Sequence, residues 1–192
     1  MKAYVAFIHP VFTIPRLPAE ASLNPGARLA LKRILIFGNS GSGKSTLETA
    51  LSRARELAHL DLDTLAWLPT KAPQRMPLAE SQAAIQAFMS SSDHWVIEGC
   101  YADLLEFATP YANEVIFMNL PVAACIENAR KRPWEPHKYA SKAEQDKNLD
   151  MLIAWISQYP TRRDEFSEAA HRMLYERFSG EKRMITRNEQ GR

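Results

Sequence analysis

Gly38-Asn39-Ser40-Gly41-Ser42-Gly43-Lys44-Ser45 carries the spacing G-x-x-x-x-G-K-[ST], the Walker A pattern, whose chemistry is the holding of an anion. Glycines at these positions let successive backbone N–H groups turn inward on a phosphate, with no Cβ blocking the approach. Lys44 would reach the β- and γ-phosphates of a nucleotide, and the Ser45 hydroxyl would ligate Mg2+. The pattern arises by accident in ~1% of chains of this length. A Gly/Ser loop without a ligand is therefore the weaker reading, and the expectation is a bound nucleoside triphosphate.

Phosphoryl transfer asks for positioning and charge neutralisation more than covalent chemistry. Three clusters stand where a parallel sheet would deliver such groups, beyond strand C-terminal ends. In Asp61-Leu62-Asp63 alternation points both carboxylates to one side if the backbone stays extended, as metal or acceptor ligands; the competing role is to cap the next segment. In Trp95-Val96-Ile97-Glu98-Gly99-Cys100-Tyr101 an acid ends an apolar strand, the place of a Walker B carboxylate. Glu98 would hold a Mg2+-bound water or take the acceptor's proton, and Gly99 would let substrate approach the backbone. Arg130-Lys131-Arg132 closes a helix, where cations commonly complement the dipole. Arg130 and Arg132 are also placed to form an arginine lid over a transferring phosphate, with Arg162 and Arg163 next in line.

Other residues say less. Trp67 and Trp134 are able to stack on an acceptor ring, although aromatics in apolar stretches usually belong to the core. His137 and His171 show no companion spacing for a metal. A guanine-reading N/T-K-x-D is absent, since Thr70-Lys71-Ala72-Pro73 lacks the acid; this favours ATP over GTP.

Elements able to position these groups alternate along the chain. Apolar runs at Arg33–Phe37, Ala58–Leu62, Trp95–Glu98, Glu114–Leu120 and Arg183–Thr186 read as strands, and the segments between them as helices, which is the α/β pattern. After the glycine loop, Leu47, Ala50, Leu51, Ala54, Leu57 and Ala58 recur at helical spacing. Pro77 opens a helix whose inner face would be Leu78, Ile85, Phe88 and Met89, and Pro121 opens another that Pro133 stops. Ser141 and Glu144 form a capping box before Leu149, Leu152, Ile153 and Ile156. Thr161–Asp164 would cap a last helix, with Phe166, Ala170, Met173 and Leu174 inward and Gly180 after its end.

With 192 residues the chain suits one domain with a sizeable core. Its 24 basic and 22 acidic residues are interleaved, for a net charge of +2, so there is no electrostatic case for nucleic acid or membrane as a partner. Two cysteines, Cys100 and Cys125, are too few for a disulfide scaffold, read best as buried small hydrophobes, and suit a cytoplasmic location. Lys2, the stretch Ala3–Ile14 and Ala19-Glu20-Ala21 loosely mimic a signal peptide, but His9 and Pro10 break the apolar run. Residues 1–31 are expected to be a poorly ordered extension, with a natural start near Leu31 as a separate possibility, and 32–192 the domain itself.

The chain resembles the small P-loop kinases of the adenylate kinase and shikimate kinase type. It is closer still to their uncharacterised bacterial relatives, the adenylate kinase-related or DNA topology modulation proteins. The resemblance spans roughly Lys32 to Arg187 and rests on Ile34–Thr46, on Leu60-Asp61-Leu62-Asp63 and on Trp95–Tyr101, with Asn128–Arg132 and Ile153–Ile156 agreeing less specifically. It implies a P-loop NTPase three-layer sandwich with a parallel sheet of order 2-3-1-4-5, an acceptor segment near Thr64–Ser92 and a basic lid after the fourth strand. It also implies a phosphate site of Gly38, Asn39, Ser40, Gly41, Ser42, Gly43, Lys44, Ser45 and Thr46, and Mg2+ held by Ser45 with Asp61 or Glu98. Lys44, Asp63, Glu98, Arg130 and Arg132 would carry the chemistry. Two departures bear on the acceptor. Glu98-Gly99-Cys100 stands where shikimate kinases have three glycines, and Cys100–Leu104 lacks the arginine that adenylate kinases carry there. The expected activity is Mg2+-ATP-dependent phosphorylation of a small molecule, a nucleoside or nucleotide among the candidates. The alternative is a regulatory ATPase or nucleotide-dependent binding module acting on a protein or DNA partner.

Overall fold

The computed structural model describes residues 31–70, 72–134 and 140–188. Five strands, β1 Arg33–Gly38, β2 Ala58–Asp61, β3 Trp95–Gly99, β4 Glu114–Met118 and β5 Glu181–Ile185, form one sheet of order β2-β3-β1-β4-β5. Every pairing is parallel. The expected order 2-3-1-4-5 is therefore the observed one, with β1 in the middle.

A central parallel strand must be apolar on both faces, and β1 is. Ile34 and Ile36 point to one side, where Leu47 and Leu51 of α1 (Lys44–Arg55), Cys125 and Ala129 of α5 (Val122–Lys131) and Ile156 of α7 (Leu149–Ser157) meet them. Leu35 and Phe37 point to the other side. There they meet Ala66 of α2 (Asp63–Ala66), Ile85 and Met89 of α3 (Leu78–Ser91), Leu104 and Leu105 of α4 (Ala102–Ala108) and Leu174 of α8 (Glu168–Arg177). Two helical layers thus enclose the sheet. The remaining helix, α6 (Lys142–Lys147), packs on α7. No helix among the described residues is long and apolar enough to cross a membrane. The expected extension over residues 1–31 lies, apart from Leu31, outside the described residues.

Several local expectations give way to tertiary packing. Leu78 is 46% exposed; Ser81 holds the inner position of α3, buried, with its hydroxyl donating to Leu65 O at 2.7 Å. Ala50 and Ala54 of α1 are exposed, and Leu57 and Ala58 fall beyond that helix. Ser141 does cap a helix, accepting from Glu144 N, but the helix ends at Lys147 and a second one starts at Leu149. The last helix is capped by Ser167, which accepts from Ala170 N, and not by Thr161. Phe166 therefore precedes the helix, and Met173 is exposed. Of the cysteines, Cys125 is buried and Cys100 half-buried. Burial pushes the Cys100 thiol up to about 12 and Cys125 to about 11, so neither is a thiolate.

Candidate functional site

The glycine loop leaves β1 at Gly38 and enters α1 at Lys44. Gly41 (φ +74°) and Gly43 (φ +89°) are left-handed, a conformation costly for any residue with a Cβ. A Cβ on Gly41 would also lie 2.4 Å from Cys125 O, so both conformation and close approach demand glycine. Gly43 is the N-cap of α1 and supplies no side-chain acceptor. The first N–H groups of α1 therefore lack a cap, the arrangement in which helix starts receive anions.

Two asparagines brace this loop, one within it and one on α5. Asn39, itself buried, donates from Nδ2 to Ile156 O on α7 at 3.1 Å. Asn128 of α5 donates to Gly41 O at 2.9 Å. Lys44 Nζ curls back to Asn39 O at 3.0 Å; an ammonium has three donors, so this bond leaves it able to meet phosphate oxygens. Ser42 Oγ is buried without a partner among the described residues.

Parallel pairing delivers the acids to the same end. Asp61 and Glu98 are register partners at the ends of β2 and β3. Ser45 Oγ donates to Glu98 Oε1 at 2.6 Å, which joins the loop's hydroxyl to the strand's acid. Glu98 is 3% exposed. Its burial raises the carboxyl to about 7, Lys44 pulls the other way, and Asp61 adds to the rise. The carboxyl is poised to lose or accept a proton near neutrality.

Asp61 and Asp63 do not follow simple alternation. Leu62 is helical (φ −65°, ψ −19°) and β2 stops at Asp61. Asp61 Oδ1 accepts from Asp63 N at 2.9 Å, so the capping role weighed for this acid is present. Asp63 lies in the first turn of α2, exposed, and its Oδ1 accepts from Tyr101 OH at 2.6 Å. At Gly99 the structure shows a packing need. A Cβ there would meet Leu62 Cβ at 2.8 Å, so the glycine makes room for Leu62.

A wall that no local pattern announces stands beside these acids. Trp67 Nε1 donates to Tyr101 OH at 2.7 Å while Tyr101 donates to Asp63. Burial, then the Asp63 charge, push the Tyr101 phenol upward, so it stays a donor. Arg75 lies over the Tyr101 ring at 5.0 Å, with Nη1 on Glu165 Oε1 at 2.7 Å and Nη2 on Asp103 Oδ2 at 2.8 Å. Arg162 lies over the Trp155 ring at 3.5 Å and is paired with Asp164. Trp67 is thus half-buried and hydrogen-bonded, whereas Trp134 is 45% exposed.

Arg130 is exposed in the last turn of α5, and Arg132 is its C-cap. Both ride on the helix whose Asn128 touches Gly41. The segment 135–139 that follows, with His137, lies outside the described residues. His171 is wholly buried. Its Nε2 faces Cys100 O at 3.1 Å and its Nδ1 faces Tyr159 OH at 2.7 Å. A carbonyl only accepts, so Nε2 carries the proton and Nδ1 accepts from tyrosine. Burial pushes His171 down to about 3, which keeps it neutral behind β3. A lone histidine in sequence carries no signal of such a role.

Among the described residues no group of three or more His, Cys, Asp and Glu side chains gathers to hold a metal alone. Mg2+ needs none, because one or two carboxylates and substrate phosphates commonly suffice. Hydroxyl and carboxylate oxygens of Ser45, Glu98 and Asp61 are the hard donors it takes.

Known proteins resemble this chain at several levels. An uncharacterized protein, YqaC of Bacillus subtilis (strain 168), is 29% identical over 133 residues, which is 67% of this chain and 72% of that protein. A shikimate kinase from Bacteroides thetaiotaomicron superposes with a TM-score of 0.41 at 18% identity, covering 76% of this chain and 97% of its own. A gluconokinase from Sinorhizobium meliloti 1021 does so at 0.45 and 16%, covering 82% and 85%. At these scores the likenesses add nothing to the strand order, and the substrates in those two names stay with those two proteins. The sequence pattern of an AAA domain matches residues 34–149, from β1 through the start of α7 and more than half of the chain, and the chain belongs to that family.

Proposed function

We propose that the protein is a Mg2+-ATP-dependent phosphotransferase acting on a small-molecule acceptor. The observation that carries this is the 2.6 Å hydrogen bond from Ser45 to Glu98, at the mouth of a loop built for phosphate. Glu98, buried, with Asp61 as its register partner on the next strand, supplies carboxylates for Mg2+ and for an acceptor hydroxyl beside that loop.

In this reading the backbone of Gly41–Ser45 and the Lys44 ammonium hold the β- and γ-phosphates. Ser45 and Glu98, with Asp61 beside them, would hold Mg2+, which would supply neutralisation of phosphate charge. Asp63 or Glu98 orients the acceptor hydroxyl. The hydroxyl oxygen bonds to the γ-phosphorus, the bond from that phosphorus to the β–γ bridging oxygen breaks, and ADP leaves. The hydroxyl proton passes to the orienting carboxylate. Arg130 and Arg132 of α5 close over the transferring group. Nucleosides and nucleotides are the first acceptors to test.

The test is Mg2+-ATP turnover against nucleosides, nucleotides and hydroxy metabolites, with product identified by mass and Lys44→Ala as control. An acceptor that is phosphorylated and raises turnover supports the reading. Slow ATP loss, on the order of 10⁻⁴–10⁻² s⁻¹ and indifferent to every acceptor, would replace it with a regulatory ATPase.

A further inference from the structure

We propose that Asn128 and Asn188 are a positioning pair for the phosphate loop, through which the segment that follows β5 holds the loop ready for a nucleotide. This rests on the reading of Gly38–Ser45 as a phosphate site and is independent of whether phosphate is then transferred.

Gly41 is seated against α5. An added Cβ there would lie 2.4 Å from Cys125 O. Asn128, one turn further along the same face of α5, donates from Nδ2 to Gly41 O at 2.9 Å. A carbonyl only accepts, so the NH2 end of the amide must face it. The second Nδ2 hydrogen and Oδ1 remain, and Asn188 engages both. Asn128 Nδ2 donates to Asn188 Oδ1, and Asn188 Nδ2 donates to Asn128 Oδ1, each at 3.0 Å. This closed, reciprocal pair fixes the torsion that aims Asn128 at the loop. Gly41 lies 87 residues from Asn128, and Asn188 lies 60 from it, just past the end of β5.

Where Gly41 O points decides what the inner side of the loop presents. In a planar trans peptide the C=O and N–H point opposite ways, so anchoring Gly41 O on α5 turns Ser42 N–H away from that helix. Ser42 N–H meets Asn39 O at 3.3 Å, the same oxygen that Lys44 Nζ meets at 3.0 Å. Both donors thus converge on one side of the loop, and a phosphate held there meets an N–H and an ammonium together. Gly41 (φ +74°) has the rotational freedom of glycine. Without the Asn128 bond its peptide unit is free to turn, and the Ser42 N–H leaves the phosphate side. Asn188 is exposed and Asn128 half-buried, so replacing either amide leaves the buried core in place.

The experiment uses the full chain as wild type, Asn128→Leu, Asn188→Ala and the double variant. Calorimetric titration reads Mg2+-ATP affinity, and amide hydrogen exchange without nucleotide reads residues 38–45. Leucine keeps the shape of asparagine and removes its donors. We expect Asn128→Leu to weaken binding about five- to tenfold and Asn188→Ala about two- to threefold, each with faster exchange in the loop and wild-type exchange in α8. In the Asn128→Leu background, Asn188→Ala should have no further effect, because Asn188 acts through Asn128. Unchanged affinity in folded Asn128→Leu would overturn the proposal. Weaker binding without faster loop exchange would also overturn it, since the amide would then touch the nucleotide itself. An Asn188→Ala effect that persists in the double variant would break the link between the two residues. If Asn128→Leu fails to fold, Asn188→Ala, exposed and outside every helix and strand, carries the test with the same two readouts. Wild type that binds no Mg2+-ATP would overturn this proposal together with the phosphate-site reading, whereas ATP binding without transfer would remove the phosphotransferase alone.

Discussion

Ser45 and Glu98 lie 53 residues apart and share a 2.6 Å hydrogen bond, with the hydroxyl on the first turn of α1 and the acid on the penultimate position of β3. The bond brings together the group that follows Lys44 and a carboxyl whose burial holds it at about 7.

A raised carboxyl makes a stability prediction with a definite sign. The folded state keeps the Glu98 proton up to about pH 7, whereas the unfolded chain releases it near 4.5. Between those values the folded state binds more protons, so stability falls as pH rises. Glu98→Gln removes that dependence. We expect the ligand-free variant to match wild type near pH 4.5 and to exceed it above pH 7 by up to about 3 kcal/mol, while turnover is lost. Urea unfolding from pH 5 to 8 measures this, and a difference that does not grow with pH would refute the buried, proton-holding Glu98.

Lys44→Ala should abolish turnover and leave the fold intact. Lys44 is half-buried at the loop and its one described bond is to Asn39 O, a modest contribution of about 1 kcal/mol. Its proposed work is on phosphates. Circular dichroism and calorimetric nucleotide titration separate the two effects. Wild-type turnover in the variant would sink the mechanism.

Gly41→Ala tests the loop as backbone chemistry. The new Cβ would meet Cys125 O at 2.4 Å and force a left-handed residue with a side chain. We expect a loss of about 1–3 kcal/mol from strain and at least a hundredfold weaker Mg2+-ATP binding, read by titration. Unchanged affinity would mean that the loop does not wrap a phosphate.

How far these features could be read from sequence depends on how local their causes are. The loop declares itself because Gly38, Gly41, Gly43, Lys44 and Ser45 act through their own backbone and neighbours. The sheet declares itself because a strand covered on both faces must be apolar throughout, as Ile34–Phe37 are. Glu98 was visible as a strand-terminal acid, but its bond to Ser45 was not. The wall was hidden because Arg75 meets Asp103 and Glu165 at separations of 28 and 90 residues, and no periodicity links them. Asp61-Leu62-Asp63 misleads in the other direction. Alternation presumes an extended chain, and the helical Leu62 turns Asp63 into the first turn of α2. Thr161 and Ser167 are both capping residues by type; the buried Phe166 and the Ser167 bond to Ala170 N mark the later one as the start.

His171 gives the last prediction. It ties α8 to the backbone just after Glu98-Gly99, through Cys100 O, and accepts a hydrogen bond from the hydroxyl of Tyr159, just past the end of α7. Held at about 3 by burial, it is neutral in the folded state, while the unfolded histidine protonates near 6.5. The unfolded chain therefore binds more protons below pH 6.5, and stability falls as pH drops from there toward 3. His171→Gln should flatten that part of the acid dependence, because glutamine does not titrate. Tyr159→Phe should keep the histidine's dependence but cost about 1–3 kcal/mol at neutral pH, since a buried Nδ1 loses its donor. Urea midpoints for the three proteins at pH 4, 5, 6 and 7 distinguish these effects. An acid slope unaltered by His171→Gln would show that the imidazole protonates without unfolding, and that it does not strut α8 against the strand carrying Glu98.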